Sequence, residues 1–147
     1  MSADLRHEMA DALDAALGDM RQAASGLTTA LAAERDALER ADADALHLAG
    51  QDKQNQLERL EQLDAERQQL MRAVAATTPA QRAAWDGVMN TLADCQRANQ
   101  SNGQVVGQRL RQVRQALAVL TGGAESGVYG PGGTLRIDHR SLSLAEA

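Results

Sequence analysis

Aromatic residues are almost absent from this chain of 147 residues, which contains one tryptophan, one tyrosine and no phenylalanine. Alanine and leucine supply most of its apolar side chains, and a core of such small side chains favours closely spaced helices over a thick globule. No apolar run approaches the roughly 18 residues that a membrane-spanning helix needs. The composition therefore predicts an all-α fold without stable membrane insertion.

Cysteine and clustered basic residues are also scarce. Cys95 is the single cysteine, so an internal disulfide is impossible and a reducing cytosol is the simplest setting. The opening "MSADLRHEMADAL" has acids where a secretory signal has a basic and then an apolar region. No basic stripe with interleaved aromatics accompanies the net charge of -5. We expect a cytoplasmic protein that does not bind nucleic acid.

The sequence gives little support for a catalytic or metal-binding set of residues. Asp4 with His7, and Asp44 with His47, have the i, i+3 spacing of bundle metal sites. However, His7 lies away from the apolar stripe, and the further inward carboxylates of such sites cannot be assigned. Cys95 has no histidine placed to activate it, and "YGPGG" lacks the strand, helix and Lys-Ser/Thr of a phosphate loop. We predict no enzyme, no metal site and no cofactor.

Apolar residues recur at helical spacing in three segments, which predicts helices over about residues 2–40, 43–76 and 79–121. Ser25 and Gly26 interrupt the first pattern, either as a slightly weakened helix or as a hinge. The first break, in "RADADAL", has no glycine or proline, and Asp42 or Asp44 is the expected cap of the second helix. Short connections favour an antiparallel up-down bundle over residues 1–121.

The third helix has clear boundary signals. "TPAQ" supplies Thr78 as N-cap, Pro79 at the first helical position and Gln81 for a capping box. Gly122 is placed to take the left-handed conformation beyond the end of the helix. Glycines and a proline then dominate up to Gly133. We expect residues 122–147 to form a flexible, glycine-rich C-terminal tail.

Charged residues fall on the apolar frame of the second helix, at Lys53 and Arg67. Burying an unpaired charge is costly, so such residues pair, extend to solvent or lie where the bundle is thin. Glu34 lies about as far before the first turn as Lys53 lies after it. We therefore predict that Glu34 and Lys53 pair across the helical hairpin.

The third helix carries a seam of residues spaced mostly three and four apart, as in a coiled coil. Its C-terminal half, here called the α3 seam, comprises Asn99, Asn102, Gly103, Val106, Leu110, Val113, Leu117 and Leu120. Asn-Gly is normally a turn signal, but the register continues through it, so an uninterrupted helix is favoured. Gly103 and Gly107 share a face on which another backbone can approach, either within the bundle or from a partner helix.

Several motifs occur in a characteristic order over about residues 28–134. They are "LAAERDAL", Lys53 followed by "LERLEQLDAER", "NQSNG", "LRQVRQALAVLTG" and "VYGPGG". In this order and spacing they resemble the flagellar export chaperone family FlgN. The resemblance implies an all-helical cytoplasmic chaperone that binds the C-terminal helices of the hook-associated proteins FlgK and FlgL. It prevents their premature assembly and delivers them to the type III export gate.

The resemblance also implies roles for particular residues. Docking on the gate protein FlhA falls on Tyr129, beside Gly130, and client binding falls on the α3 seam. A tyrosine offers a large rigid surface with a hydroxyl at its tip, which suits an interface. The chain departs from strongly basic-tailed relatives because "SLSLAEA" contains no lysine.

A second function class is a coiled-coil structural protein that only self-associates. This structural protein and the chaperone would have the same helices and the same seam. The sequence therefore leaves open whether the chain forms a homo-oligomer. A purely structural role gives no reason for a glycine-rich tail that carries the only tyrosine.

Overall fold

The computed structural model describes residues 1–122, which form three long helices. They are α1 (Ala3–Arg40), α2 (Ala43–Ala73) and α3 (Pro79–Leu120). The predicted all-α bundle is confirmed. The predicted tail, with Tyr129 and Gly130, lies outside the described residues beyond Gly122.

Side-chain caps mark where the helices begin. The Ser2 hydroxyl accepts a hydrogen bond from the backbone N–H of Leu5, and the Asp42 carboxylate accepts one from Ala45. Thr78 and Gln81 form the reciprocal capping box that their spacing predicts. Each cap satisfies backbone donors that the first helical turn leaves without a partner.

The connection between α1 and α2 is only two residues long. Ala41 ends α1 in the left-handed conformation, with φ of 53°, and its N–H donates to the carbonyls of Ala37 and Leu38. Asp42 follows directly as the N-cap of α2. An alanine thus occupies a position where glycine is usual, which explains why the sequence marks this turn so weakly.

The helix α2 ends at Ala73, three residues before the predicted end near residue 76. Val74 is already extended, with ψ of 128°. The chain must reverse direction before α3, and Thr78 must be extended both as an N-cap and as the residue preceding Pro79. These demands on residues 74–78 terminate α2 early.

The central helix of the bundle is α1. It has twelve buried residues, whereas α2 and α3 have four each. Both α2 and α3 pack along α1 but do not closely approach each other. The core consists mainly of Met20, Leu27 and Leu31 of α1 between leucines of α2 and Val88 and Cys95 of α3.

The α1 helix continues through Ser25 and Gly26 without interruption. A Cβ atom at Gly26 would come within 2.7 Å of the Gln56 side chain. The glycine therefore leaves room for the Gln56 side-chain amide to lie against α1 at this level.

The helices α1 and α3 are parallel and in a heptad register. The buried residues of α3 are Gln81, Val88, Cys95 and Asn102, each seven after the last. Seven-residue spacing keeps one face of a helix directed at a parallel neighbour, as in a coiled coil. The last interhelical hydrogen bond of this pair joins the Arg109 guanidinium to the carbonyl of Glu39, one residue before α1 ends.

Candidate functional site

A buried polar network joins all three helices beside the α1–α2 turn. The Lys53 ammonium lies 2.7 Å from the Glu34 carboxylate, and the two side chains are only 13% and 11% exposed. Lys53 also donates to the Asn99 side-chain oxygen at 3.2 Å. Asn102 donates to the second Glu34 oxygen at 2.9 Å and to the Leu31 carbonyl at 3.0 Å. Within the described residues no buried side-chain polar atom lacks a partner.

Two residues of the α3 seam thus face inward. Asn102 is 4% exposed, and the side-chain groups of Asn99 and Asn102 are engaged by α1 and α2. A buried polar residue on a coiled-coil seam fixes the register of its helix. These two asparagines set where α3 lies along α1.

The rest of the α3 seam becomes more exposed toward its C-terminus. Gly103, Val106, Leu110 and Leu117 are half-buried, whereas Val113 is 54% and Leu120 is 81% exposed. The cause is the register: α1 ends at Arg40, level with about Arg111, so residues 112–120 extend about 14 Å past the α1–α2 turn at 1.5 Å per residue. Apolar side chains of the seam are therefore presented outside the bundle.

The seam glycine Gly103 has open space beside it, and Gly107 on the same face is lined only by a long side chain. A Cβ at Gly103 would meet nothing within 4 Å, and one at Gly107 would meet only the Arg111 guanidinium, at 3.6 Å. No backbone of the described chain uses this face for close packing. The face is open to the backbone of another helix.

A groove runs between α2 and α3, with α1 as its floor, and we call it the α2–α3 groove. Its floor is Met20, Leu27 and Leu31, its α2 wall includes Leu57 and Leu60, and its α3 wall includes Met89 and Leu92. Sequence reasoning missed this groove. The one available signal was the wide apolar stripe of α1. A stripe of that width can pack against two separate helices, here α2 and α3, that do not contact each other closely.

Long side chains cross the α2–α3 groove at two places. The Lys53–Asn99 hydrogen bond spans one end. At the other, the Arg67 guanidinium lies 3.8 Å from the centroid of the Trp85 ring, while Arg67 also pairs with Asp64 at 2.9 Å. Cation–π contact of this kind is favourable, and together the two crossings hold α2 and α3 at a fixed separation.

The single cysteine lies on the wall of this groove and is inert by environment. Burial raises the pKa of the Cys95 thiol above its ordinary value of 9.0, the hydrogen bond with Thr28 lowers it, and the Asp94 charge raises it. The thiol is therefore neutral at physiological pH, unlike a catalytic thiolate.

The histidine–carboxylate pairs do not form a metal site in this part of the chain. His7 is 82% exposed and faces Asp11 at 3.7 Å, and His47 is exposed. Among residues 1–122 no three or more His, Cys, Asp or Glu side chains converge as metal ligands would. None of the described helices combines the length and hydrophobicity needed to cross a bilayer.

Comparison with known proteins gives one family. The sequence model described as FlgN protein matches residues 9–137, which includes α1 from Met9 onward, all of α2 and α3, and Tyr129. Comparisons with curated proteins and with solved structures gave no match.

Proposed function

The chain belongs to the FlgN family of flagellar export chaperones, and on that premise we propose that it binds the C-terminal helices of FlgK and FlgL through the exposed part of the α3 seam. The observation that supports this assignment is the exposure of Val113 and Leu120 where α3 leaves the bundle. An amphipathic client helix can bury these side chains by packing its apolar face along the exposed part of α3, as in a coiled coil. Covering them also conceals the client's own apolar face, which prevents premature assembly.

The two halves of the seam have different tasks in this proposal. Asn99 and Asn102 anchor α3 to the other helices, while Val106, Leu110, Val113, Leu117 and Leu120 contact the client. Gly103 lets the client backbone approach, because open space lies beside it.

Delivery to the export gate is assigned to Tyr129 with Gly130, outside the described residues. The family match includes this segment, and a tyrosine suits an interface hot spot. We propose that it docks on the cytoplasmic domain of FlhA, in the cytoplasm, and that no catalytic step is involved. Client and gate would then use separate parts of the chain.

The test of client binding compares two double variants of the full chain. Val113→Asp with Leu117→Asp adds two charges on the seam. Gln112→Asp with Gln115→Asp adds the same charges at exposed polar positions of the same turns. We expect the seam variant to bind a C-terminal FlgK peptide about tenfold or more weakly and the control to bind within about twofold of wild type. Equal affinities for the two variants would rule out the seam.

A glycine pair tests the close approach of the client backbone. Gly103→Ala and Gly87→Ala both place a methyl group in open space, so each stabilises α3 by about 0.5–1 kcal/mol. Only Gly103 lies on the seam. We expect Gly103→Ala to weaken peptide binding while Gly87→Ala leaves it unchanged; unchanged binding in both would contradict backbone contact at Gly103.

Gate docking is tested with Tyr129→Ala against Ser126→Ala as control. We expect the first to lose FlhA binding by about 2 kcal/mol or more while keeping the FlgK peptide, and the second to keep both. If the wild-type chain binds neither target and only associates with itself as its concentration rises, the structural coiled-coil function replaces the chaperone.

A further inference from the structure

The C-terminal part of α3 carries positive charge without compensating negative charge. Between residues 95 and 122 the chain contains four arginines and no aspartate or glutamate. Two of these arginines have partners: Arg97 pairs with an aspartate in the preceding turn, and Arg109 donates to a backbone carbonyl at the end of α1. The other two, Arg111 and Arg114, are exposed, and neither forms an ion pair in the described part of the chain.

Arg111 and Arg114 border one side of the α3 seam, and we call them the arginine edge. At about 100° per residue, the seam residues from 106 to 120 lie within about 40° of their midline, and Arg114 lies about 80° from it. The Arg111 side chain reaches back toward the start of the helix, as long helical side chains do. One of its guanidinium nitrogens lies 3.6 Å from the place of a Cβ at Gly107, on the same side of the seam as Arg114.

The apolar surface beside this edge suits a single partner helix. Exposed Val113 and Leu120 and half-buried Leu117 follow the three- and four-residue spacing of a coiled-coil seam. Such a seam is narrower than the apolar face of most amphipathic helices. Helices that lie on a membrane surface commonly place tryptophan or phenylalanine on that face, and α3 has no aromatic residue after Trp85. The surface therefore favours a helix over a lipid bilayer as its partner.

The charge of the edge argues against a second copy of the same chain as that partner. In a parallel pair joined through the α3 seams, Arg114 of one copy would face Arg109 of the other. In an antiparallel pair the two arginine edges would face each other. Neither copy has a carboxylate between residues 95 and 122 to neutralise them, and like charges across an interface are unfavourable.

We propose that the arginine edge selects client helices that carry aspartate or glutamate beside their apolar stripe. This inference rests on the proposed function, because it specifies the chemistry of the helix that the exposed part of the α3 seam binds. A guanidinium group presents a planar fork of donors that matches a carboxylate. Charges flanking a coiled-coil seam set which partner is chosen, so Arg111 and Arg114 are specificity-determining residues of this surface.

Neutralising the two arginines tests their part in binding. Arg111→Gln with Arg114→Gln keeps long polar side chains and removes both charges. The control, Arg21→Gln with Arg72→Gln, removes the same charge from two exposed arginines that also form no ion pair among the described residues. The comparison therefore separates local pairing from the change in net charge.

The probe is a C-terminal FlgK peptide, measured first at about 50 mM NaCl, where screening is weak. We expect the edge variant to bind about three- to tenfold more weakly than wild type, mostly through slower association. The control variant should bind within about twofold of wild type. At about 500 mM NaCl the charges are screened, so the affinities of the wild type and the edge variant should converge.

A modified peptide identifies the groups that the arginines meet. Its aspartates and glutamates are changed to asparagine and glutamine. Wild-type chain should bind this peptide about as weakly as the edge variant binds the unmodified one. Combining the modified peptide with the edge variant should cause little further loss, because both changes remove the same ion pairs.

Three results would overturn the inference. The first is equal affinity of the edge variant and the control for the peptide. The second is a pair of losses that add fully when the modified peptide meets the edge variant. The third is loss of binding to phosphatidylcholine vesicles with about 30% phosphatidylglycerol, without loss of peptide binding, which would assign the edge to an anionic lipid surface.

These outcomes are separable from failure of the proposed function. A wild-type chain that does not bind the peptide at either salt concentration removes the proposed function, and this inference with it. A wild-type chain whose peptide binding depends on the seam but not on salt or on the arginine edge retains the proposed function and removes the inference alone.

Discussion

Glu34 and Lys53, 19 residues apart along the chain, meet across the α1–α2 hairpin with 2.7 Å between carboxylate and ammonium. Each also bonds an asparagine of α3. The three helices therefore share one hydrogen-bonded junction at the level where the α3 seam begins to leave the core. Because the pair is nearly buried, its consequences for stability are larger than those of the surface pairs.

Removing one member of this pair should be costly. Lys53→Met leaves the Glu34 carboxylate buried without its counter-charge, and we expect the free energy of unfolding to fall by about 3 kcal/mol. The double variant Glu34→Gln with Lys53→Met should lose less than the sum of the single losses, since no buried charge remains. Urea denaturation of the four proteins in the cycle measures the coupling; strictly additive losses would mean that the pair contributes nothing as a pair.

An exposed pair supplies the control. Arg40 and Asp36 are 2.9 Å apart, but their side chains are 55% and 62% exposed. Arg40→Met should change the free energy of unfolding by no more than about 0.5 kcal/mol.

Glycine substitutions at Ala41 and Ala43 should change the free energy of unfolding in opposite directions, because only Ala41 has a left-handed backbone conformation. Ala41 has φ of 53°, where a Cβ is unfavourable and glycine is not. We expect Ala41→Gly to raise the free energy of unfolding by about 0.5–1 kcal/mol after the greater entropy of glycine in the unfolded chain is included. Ala43→Gly, at the first helical position of α2, should lower it by a similar amount. Thermal unfolding distinguishes them, and the same sign for both would contradict the left-handed turn.

Gln81 has a double function at the start of α3. Its amide oxygen accepts from the N–H of Thr78, and its amide nitrogen donates to Asp14 at 2.9 Å and to the Ala10 carbonyl at 3.4 Å. We expect Gln81→Ala to cost about 2–3 kcal/mol, because one cap and the bonds to α1 are lost together. Thr78→Ala should cost about 1 kcal/mol.

Circular dichroism during urea unfolding measures both losses at Gln81 and Thr78. Gln100→Ala, which removes an exposed glutamine from the same helix, should have an effect within about 0.5 kcal/mol. A loss at Gln81 no larger than that at Thr78 would mean that its contacts with α1 are not stabilising.

The buried thiol predicts a loss of stability in alkali. Because the pKa of Cys95 is raised above 9.0 in the folded chain, the folded state retains the thiol proton at a pH where the unfolded state releases it. The free energy of unfolding should therefore fall as pH rises above about 9, and this contribution is fully present below it. In Cys95→Ala this component of the pH dependence should be absent. Identical slopes for the two proteins between pH 8.5 and about 10.5 would contradict the raised pKa.

The boundaries of the helices were largely accessible from sequence because they depend on local chemistry. The capping box at Thr78 and Gln81 fixes the start of α3, and Gly122 adopts the left-handed conformation after it, with φ of 68°. The α1–α2 turn was harder to predict from sequence, since its left-handed residue is Ala41 and glycine is usual at such a position. The end of α2 was placed too late because its termination depends on the path to Pro79 rather than on a signal near Ala73.

Positions within a helix were easier to infer than the neighbours they meet. Symmetry about one short turn was enough to suggest that Glu34 faces Lys53. Periodicity identified the apolar face of α3 but not the groove beside it, because a pattern along one helix does not state which other helix covers it. The contact between Arg67 and Trp85 depends on that arrangement, so no spacing along the chain could reveal it.

The parallel register of α1 and α3 gives the molecule two unlike ends. The starts of α1 and α3 lie at one end of the molecule. The α1–α2 turn and the exposed part of α3 lie at the other end, about 60 Å away along α3. An affinity tag or dye attached at Met1 is therefore remote from the α3 seam. A chain immobilised through that residue would project the seam and the start of its C-terminal segment away from the support, in the orientation that a capture experiment requires.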